Sequence, residues 1–201
     1  MKKRTAIFAA LVSFLPIGQP LVMGTVSALT SSAVMLSVPE RAMAESDYKY
    51  YIIRGMKKGG SGDNSGAISD FSKAIEINPR SLEAYFNRGV ARSRSGDYDG
   101  AISDYSKMLE INPMNFKMNF NAYYNRGSAK RKSGDYDGAI SDYSKALEIN
   151  PRDKRVLVNR GISKSQMGDL KGACSDWREA SSLGSERAAN WVEKRGYCPK
   201  S

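Results

Sequence analysis

The sequence predicts an all-α fold, an α-α superhelix of four stacked helix-turn-helix units closed by a C-terminal capping helix. Three observations predict it. A long phrase is written twice, SGDYDGAISDYSKMLEINP from Ser95 to Pro113 and SGDYDGAISDYSKALEINP from Ser133 to Pro151. The two differ only at Met108 and Ala146, and a looser copy runs from Ser61 to Pro79. A second phrase ending in Arg-Gly recurs ahead of them as YIIRG, YFNRG and YYNRG, and again as LVNRG, with its glycines at 55, 89, 127 and 161. Those glycines are spaced by 34, 38 and 34 residues, the period of a solenoid built from pairs of helices. Within the long phrase, Ala101, Tyr105 and Met108 stand four and three residues apart, which puts them on one helical face. A single unit cannot bury that face alone, so stacking must supply the core.

The punctuation of each unit follows from local chemistry. Gly-Asp at 62–63, 96–97, 134–135 and 168–169 marks the turn between two helices, with the aspartate as N-cap of the second. Asn-Pro at 78–79, 112–113 and 150–151 ends that second helix, because the residue before proline is driven out of the α region. The first unit, about 48–79, is the weakest copy. Its first helix closes on Lys57-Lys58-Gly59-Gly60, and Asn64-Ser65 stand in place of Tyr-Asp, so this end is expected to be the more mobile. The second unit spans about 82–113 and the third about 120–151, separated by an insertion of four residues within Met114–Asn119. Four residues are about one helical turn, so the insertion should lengthen the first helix of unit three without rotating its faces. Met114, Phe116 and Met118 are expected to pack on unit two. The fourth unit spans about 154–185, and residues 186–201 supply the capping helix and tail, with Trp191 beginning a fifth unit that Gly196 stops.

The N-terminus reads as a leader. Lys2, Lys3 and Arg4 precede a stretch without charge from Thr5 to Val38, and Ala42-Met43-Ala44 is an A-x-A cleavage pattern ahead of Glu45. Residues 1–44 are therefore a signal peptide or, since Pro16 and Pro20 interrupt the apolar run, an uncleaved membrane anchor. Either places the repeats outside the cytoplasm, because the positive end stays inside: in a periplasm, a thylakoid lumen or the extracellular space, or anchored and facing outward. The whole chain carries +10; without residues 1–44, 27 Lys and Arg stand against 20 Asp and Glu, a net +7. That excess favours acidic partners or solubilises the surface. Nucleic acid is not expected as a partner of an exported chain.

Chemistry is largely excluded. The sequence contains no histidine, which removes histidine-dependent triads, acid/base catalysis and metal sites. Asp97–Gly100 and Asp135–Gly138 fail as calcium loops, since the glycine comes too early and the twelfth position is Met108 or Ala146. Gly59–Gly62 lacks the Gly-Lys-Ser/Thr of a phosphate loop. No catalytic residue, metal or cofactor is expected. The two cysteines, Cys174 and Cys198, invite a disulfide in an oxidising compartment, contributing about 3 kcal/mol. The alternative is a buried thiol and an exposed tail thiol.

These residues resemble the tetratricopeptide repeat family, and their phrasing is similar to that of exported bacterial members. With Pro79, Pro113 and Pro151 counted as position 32, position 4 holds Tyr51, Tyr85, Tyr123 and Leu157, and position 8 holds Gly55, Gly89, Gly127 and Gly161. Position 20 holds Ala67, Ala101, Ala139 and Ala173, position 24 holds Phe71, Tyr105, Tyr143 and Trp177, and position 27 holds Ala74, Met108, Ala146 and Ala180. The match covers roughly Tyr48 to Ser185. The glycine is expected to face the alanine of its partner helix, with the aromatic filling the space beside them. The resemblance implies a scaffold that binds protein or peptide partners on a concave face lined by the first helices. It nominates Asn87, Asn125 and Asn159 at position 6, where unit one has Ile53, and an apolar stripe of Ile52, Phe86, Tyr124 and Val158 at position 5. Lys49, Arg94, Arg131, Lys132 and Arg155 flank the stripe, with Glu83 the exception, so the expected ligand is an extended protein or peptide segment bearing acidic groups. A family-type carboxylate clamp is not carried over, because Ile52 stands where it would need lysine. One departure recurs in all four units. Position 7 is an arginine (Arg54, Arg88, Arg126, Arg160) followed sixteen residues later by an aspartate (Asp70, Asp104, Asp142, Asp176), a pair expected to bridge helices within or between units. An alternative role is that of a membrane-tethered factor assembling a membrane protein complex.

Overall fold

The computed structural model describes residues 38–194 and Cys198. Four helix pairs follow one another: α1 (Val38–Gly60) with α2 (Asn64–Ile77), α3 (Leu82–Ser95) with α4 (Tyr98–Ile111), α5 (Phe116–Ser133) with α6 (Tyr136–Ile149), and α7 (Lys154–Gln166) with α8 (Leu170–Ser182). A short α9 (Glu186–Ala189) runs into a π-helical turn over Asn190–Lys194. Each helix packs on the next in sequence, and the first helices of adjacent pairs also touch. The chain is thus an all-α superhelix of repeats. Of the leader expected over 1–44, residues 1–37 lie outside the described residues. The expected boundary after Ala44 falls inside α1, which runs on from Val38 without a break.

The turns form as the dipeptides require. Asp63, Asp97, Asp135 and Asp169 cap α2, α4, α6 and α8, each accepting the backbone N–H of a glycine three residues on. A Cβ on that glycine would lie 2.8 Å from the capping carboxyl carbon at Asp63, which explains the recurrent Asp-x-x-Gly. The glycine before each aspartate sits at φ +89, +89, +93 and +86°, a left-handed turn that spares it the Cβ penalty. Asn78, Asn112 and Asn150 leave the helix at φ −129, −144 and −133°, where the following proline forces the break.

Between the pairs the core is built of small residues and large rings. Ala67, Ala74, Ala101, Ala139, Ala146, Ala173 and Ala180 are completely buried, beside Phe71, Tyr105, Tyr143 and Trp177. The glycine at position 8 answers to the ring rather than to the alanine. A Cβ at Gly89 would lie 2.8 Å from Tyr105 Cε1, and one at Gly55 2.7 Å from Phe71 Cε1. Trp191 closes the stack over Trp177, ring centroids 4.9 Å apart, beside buried Ala188. Cys174 and Cys198 form a disulfide across 24 residues, with Cα atoms 5.4 Å apart, tying the tail to α8.

A charged ladder runs through the pairs. Arg54 donates to Asp70, Arg88 to Asp104, Arg126 to Asp142 and Arg160 to Asp176, each through Nε and Nη2 to both carboxylate oxygens. The remaining Nη1 of Arg88, Arg126 and Arg160 donates to Ser72, Ser106 and Ser144 of the preceding pair, at 3.0, 2.9 and 3.1 Å. The expected pairs therefore join helices both within and between repeats. A second cation, unforeseen from the sequence, completes each aspartate: Lys58, Arg92, Lys130 and Lys164 at 3.0, 2.9, 3.0 and 2.9 Å. The aspartates are 1–3% exposed, so two charge-assisted partners offset their desolvation. At the first of them the Arg54 guanidinium, assisted by Lys58 and opposed by burial, holds the Asp70 carboxyl at about 2.

The insertion lengthens α5 by one turn relative to α3, 18 residues against 14. Its apolar side chains do not all pack as expected. Met114 is 74% and Phe116 66% exposed, while Met118 is half-buried. Asn119 takes the inward place instead, 4% exposed, its amide donating to the Pro113 carbonyl at 2.7 Å. The inserted turn projects beyond the apolar face of the second pair, so the polar residue with a backbone partner is the one that sinks.

Candidate functional site

The face lined by the first helices α1, α3, α5 and α7 carries the nominated residues, and the structure sorts them. Asn87, Asn125 and Asn159 are half-buried. Asn125 donates to the Asn121 carbonyl of its own helix at 2.9 Å, whereas Asn159 reaches across to the Tyr124 hydroxyl at 3.2 Å, linking α7 to α5. The expected apolar stripe is broken at both ends. Ile52 and Val158 are 5% and 6% exposed and belong to the core, because compact aliphatic chains are covered by their neighbours. Phe86 and Tyr124 are larger and stand half out, each tilted on the position 24 tyrosine at 6.1 Å. Exposed Ile53 occupies the first rung of the asparagine series.

The basic residues are held in place individually. Arg94 donates to the Gly59 carbonyl across the first two repeats at 3.3 Å. Lys132 lies over the Tyr98 ring at 5.5 Å. Lys49 pairs with Glu45 on its own helix. Arg131 is half-buried, and its Nε and the Tyr143 hydroxyl are enclosed without a hydrogen-bond partner; burial pushes the Tyr143 hydroxyl up. Arg155 lies over the Tyr124 ring at 5.5 Å and donates through Nε and Nη2 to Asp153. Burial alone would raise the Asp153 carboxyl, but Arg155 and two backbone N–H groups bring it below its ordinary range.

Two hollows adjoin at the C-terminal end of this face. One, about 240 Å³, is lined by Tyr124 of α5, Lys154, Arg155, Val158 and Asn159 of α7, and Ser185 and Arg187 at α9. The other, about 360 Å³, is lined by Ile162, Ser165, Gln166, Trp177, Trp191 and again Arg187. Arg187 is held over the Trp191 ring at 4.7 Å. Four of the nominated residues thus converge: Asn159, Tyr124, Val158 and Arg155. Lys154, Ser185, Arg187 and Trp191 were missed; Trp191 at position 4 of a fifth unit was the signal that the cap adds to this face. Among the described residues there is no cluster of three or more His, Cys, Asp or Glu side chains able to hold a metal. No described helix is long and apolar enough to cross a membrane.

Helix pairs recurring every 34 or 38 residues, each packing a glycine on a ring and offering a face of first helices, define a helical-repeat scaffold. The chain belongs to the tetratricopeptide repeat family: models described as tetratricopeptide repeat and TPR repeat match residues 82–115 and 120–153, and 61–96. Among solved structures it is similar to MamA, 24% identical, with a TM-score of 0.67 over 73% of this chain and 79% of that one. A MamA structure from Desulfovibrio magneticus is 19% identical, with a TM-score of 0.67 over 73% of this chain and 81% of that one. A tetratricopeptide repeat protein from Parabacteroides merdae is 24% identical, with a TM-score of 0.62 over 71% of this chain and 56% of that one. At these identities the likeness is one of fold. No curated protein matches the chain by sequence. Family members are generally non-enzymatic, and the fold of this chain is that of a protein–protein interaction scaffold.

Proposed function

We propose that the chain acts outside the cytoplasm, holding an extended peptide segment with acidic groups against the face of α3, α5 and α7. The observation that carries this reading is the polar network of that face. Half-exposed amides at Asn87, Asn125 and Asn159 repeat once per first helix, and an amide offers the donor and acceptor that a peptide backbone needs. Arg94, Lys132 and Arg155 border it with positive charge. The Cys174–Cys198 disulfide supports an oxidising compartment, as does the leader pattern of residues 1–44.

The test is crosslinking and recovery from the native host with a C-terminal tag, comparing wild type with the triple variant Asn87→Ala, Asn125→Ala, Asn159→Ala. Loss of a reproducible partner with unchanged helical circular dichroism is expected; retention of the partner would move binding to another surface. A second reading, a membrane-tethered assembly factor, is favoured by one feature: α1 runs unbroken through Ala42–Ala44. N-terminal sequencing of the protein from cells separates the two, since cleavage after Ala44 eliminates the tether.

A further inference from the structure

We propose that the two hollows beside α7 form one bipartite site for an extended peptide that carries an acidic side chain a few residues from a large apolar one. This rests on the scaffold reading above and deepens it by placing the anchor and naming the ligand's chemistry.

The smaller hollow is built from donors. Asn159 spends one amide hydrogen on the Tyr124 oxygen, which leaves the tyrosine's own O–H to point at a ligand. Arg155 commits Nε and Nη2 to Asp153 and keeps Nη1. Lys154 gives one of its three hydrogens to the Gly184 carbonyl. Ser185 accepts from the Ala188 N–H and retains its hydroxyl hydrogen. Among the described residues no ion pair engages Arg187 or Lys154, and no carboxylate lines the hollow. The side-chain acceptors are the Asn159 carbonyl and the Tyr124 and Ser185 hydroxyl oxygens, and each hydroxyl already accepts one bond. A site with unspent hydrogens on three cationic side chains and two hydroxyls, of which Arg155 alone is paired to a carboxylate, favours an anion rich in acceptors.

The larger hollow has an aromatic wall. Trp177 and Trp191 meet at 4.9 Å, and Ile162 joins them in the lining with Ser165, Gln166 and Arg187. Burying a large apolar side chain there is favourable in proportion to the area covered. Because Arg187 lines both hollows and is fixed above Trp191, a carboxylate beside its guanidinium and an apolar group beside the indole belong to one short stretch of ligand. A free anion satisfies only the first half and a lipid chain only the second.

The test uses the full chain and a randomised library of short peptides amidated at their C-termini, followed by fluorescence anisotropy of the selected sequences. Selection should enrich Asp or Glu near Trp, Phe or Leu. Replacing the acidic residue by its amide, or the apolar one by alanine, should each weaken binding roughly tenfold or more. Arg187→Glu should do the same, as should Ser165→Trp, which fills the larger hollow from its lining and leaves the Trp177–Trp191 contact in place. Both variants must keep the wild-type circular dichroism spectrum. Selected peptides lacking either element, binding indifferent to both variants, binding only with a free terminal carboxylate, or no selection at all would each overturn the proposal. If the native partner is lost with the Asn87, Asn125, Asn159 variant but kept with Arg187→Glu, the bipartite site falls and the scaffold reading stands. If neither affects it, both fall.

Discussion

Substituting Gly161 by alanine sets two magnitudes against each other. In an exposed helix interior the change should stabilise by about 1 kcal/mol through helix propensity. Here the new Cβ would lie 2.7 Å from Cδ1 of Trp177, well inside van der Waals contact. Two contacts oppose a shift of the ring: its Nε1–H donates to the Val158 carbonyl at 3.3 Å, and it meets the Trp191 ring at 4.9 Å. Overpacking costs about 1–3 kcal/mol, and a buried N–H pulled from its acceptor about 1–3 more. The net expectation is a loss of about 1–5 kcal/mol, read as a lower urea midpoint at unchanged slope, with tryptophan fluorescence and circular dichroism as parallel probes. Gly59→Ala is the control. Its Cβ would meet Ala67 at an ordinary 3.6 Å, so it should stabilise slightly. If Gly161→Ala also stabilises, the ring is not locked and the reading of position 8 is wrong.

Asp142→Ala leaves Arg126 and Lys130 facing each other without their shared carboxylate, and should cost roughly 3 kcal/mol or more; loss of the Asp135 cap by alanine should cost about 1. Equal costs in denaturant titration would show that the ladder contributes no more than a cap. Asp70 titrates at about 2, below its unfolded value of about 3.9. Its contribution is therefore complete above about pH 4 and is lost as pH falls toward 2, a window that should vanish from an acid titration of Asp70→Asn. Cys198→Ser should remove up to about 3 kcal/mol, concentrated at the end of the stack. Hydrogen exchange should rise in α8 and α9 and stay unchanged in α2 and α4, whereas a uniform rise would refute a local role.

The repeats, their turns and the arginine–aspartate pairing were legible because each depends on short, recurring sequence relations. Gly-Asp names a left-handed turn and a cap, and a constant offset of sixteen residues returns position 7 to position 23. The second cation stands four residues after each arginine, at Lys58, Arg92, Lys130 and Lys164, but three lysines and one arginine do not read as one repeated phrase. Exposure of Met114 and Phe116 was illegible for another reason: composition says they should be buried, and only the reach of the inserted turn decides that no surface lies beneath them. Ile52 and Val158 were placed on the right helices but at the wrong depth, since position 5 is open to a ring and closed to a compact chain. The groove at the C-terminal end brings Tyr124 to Arg187 through three packed elements, a neighbourhood that no local pattern encodes.

The serine contacts give the stack a direction of growth. From the second repeat on, the arginine at position 7 looks back to a serine at position 25 of the repeat before it, and Ser72, Ser106 and Ser144 answer in turn. In α8 the same position is Arg178. A gene duplication copying the second or third repeat in place would reproduce every arginine–serine joint and lengthen the array seamlessly. The same copy appended after the fourth repeat would set its position 7 arginine opposite Arg178, and that joint would lack the serine.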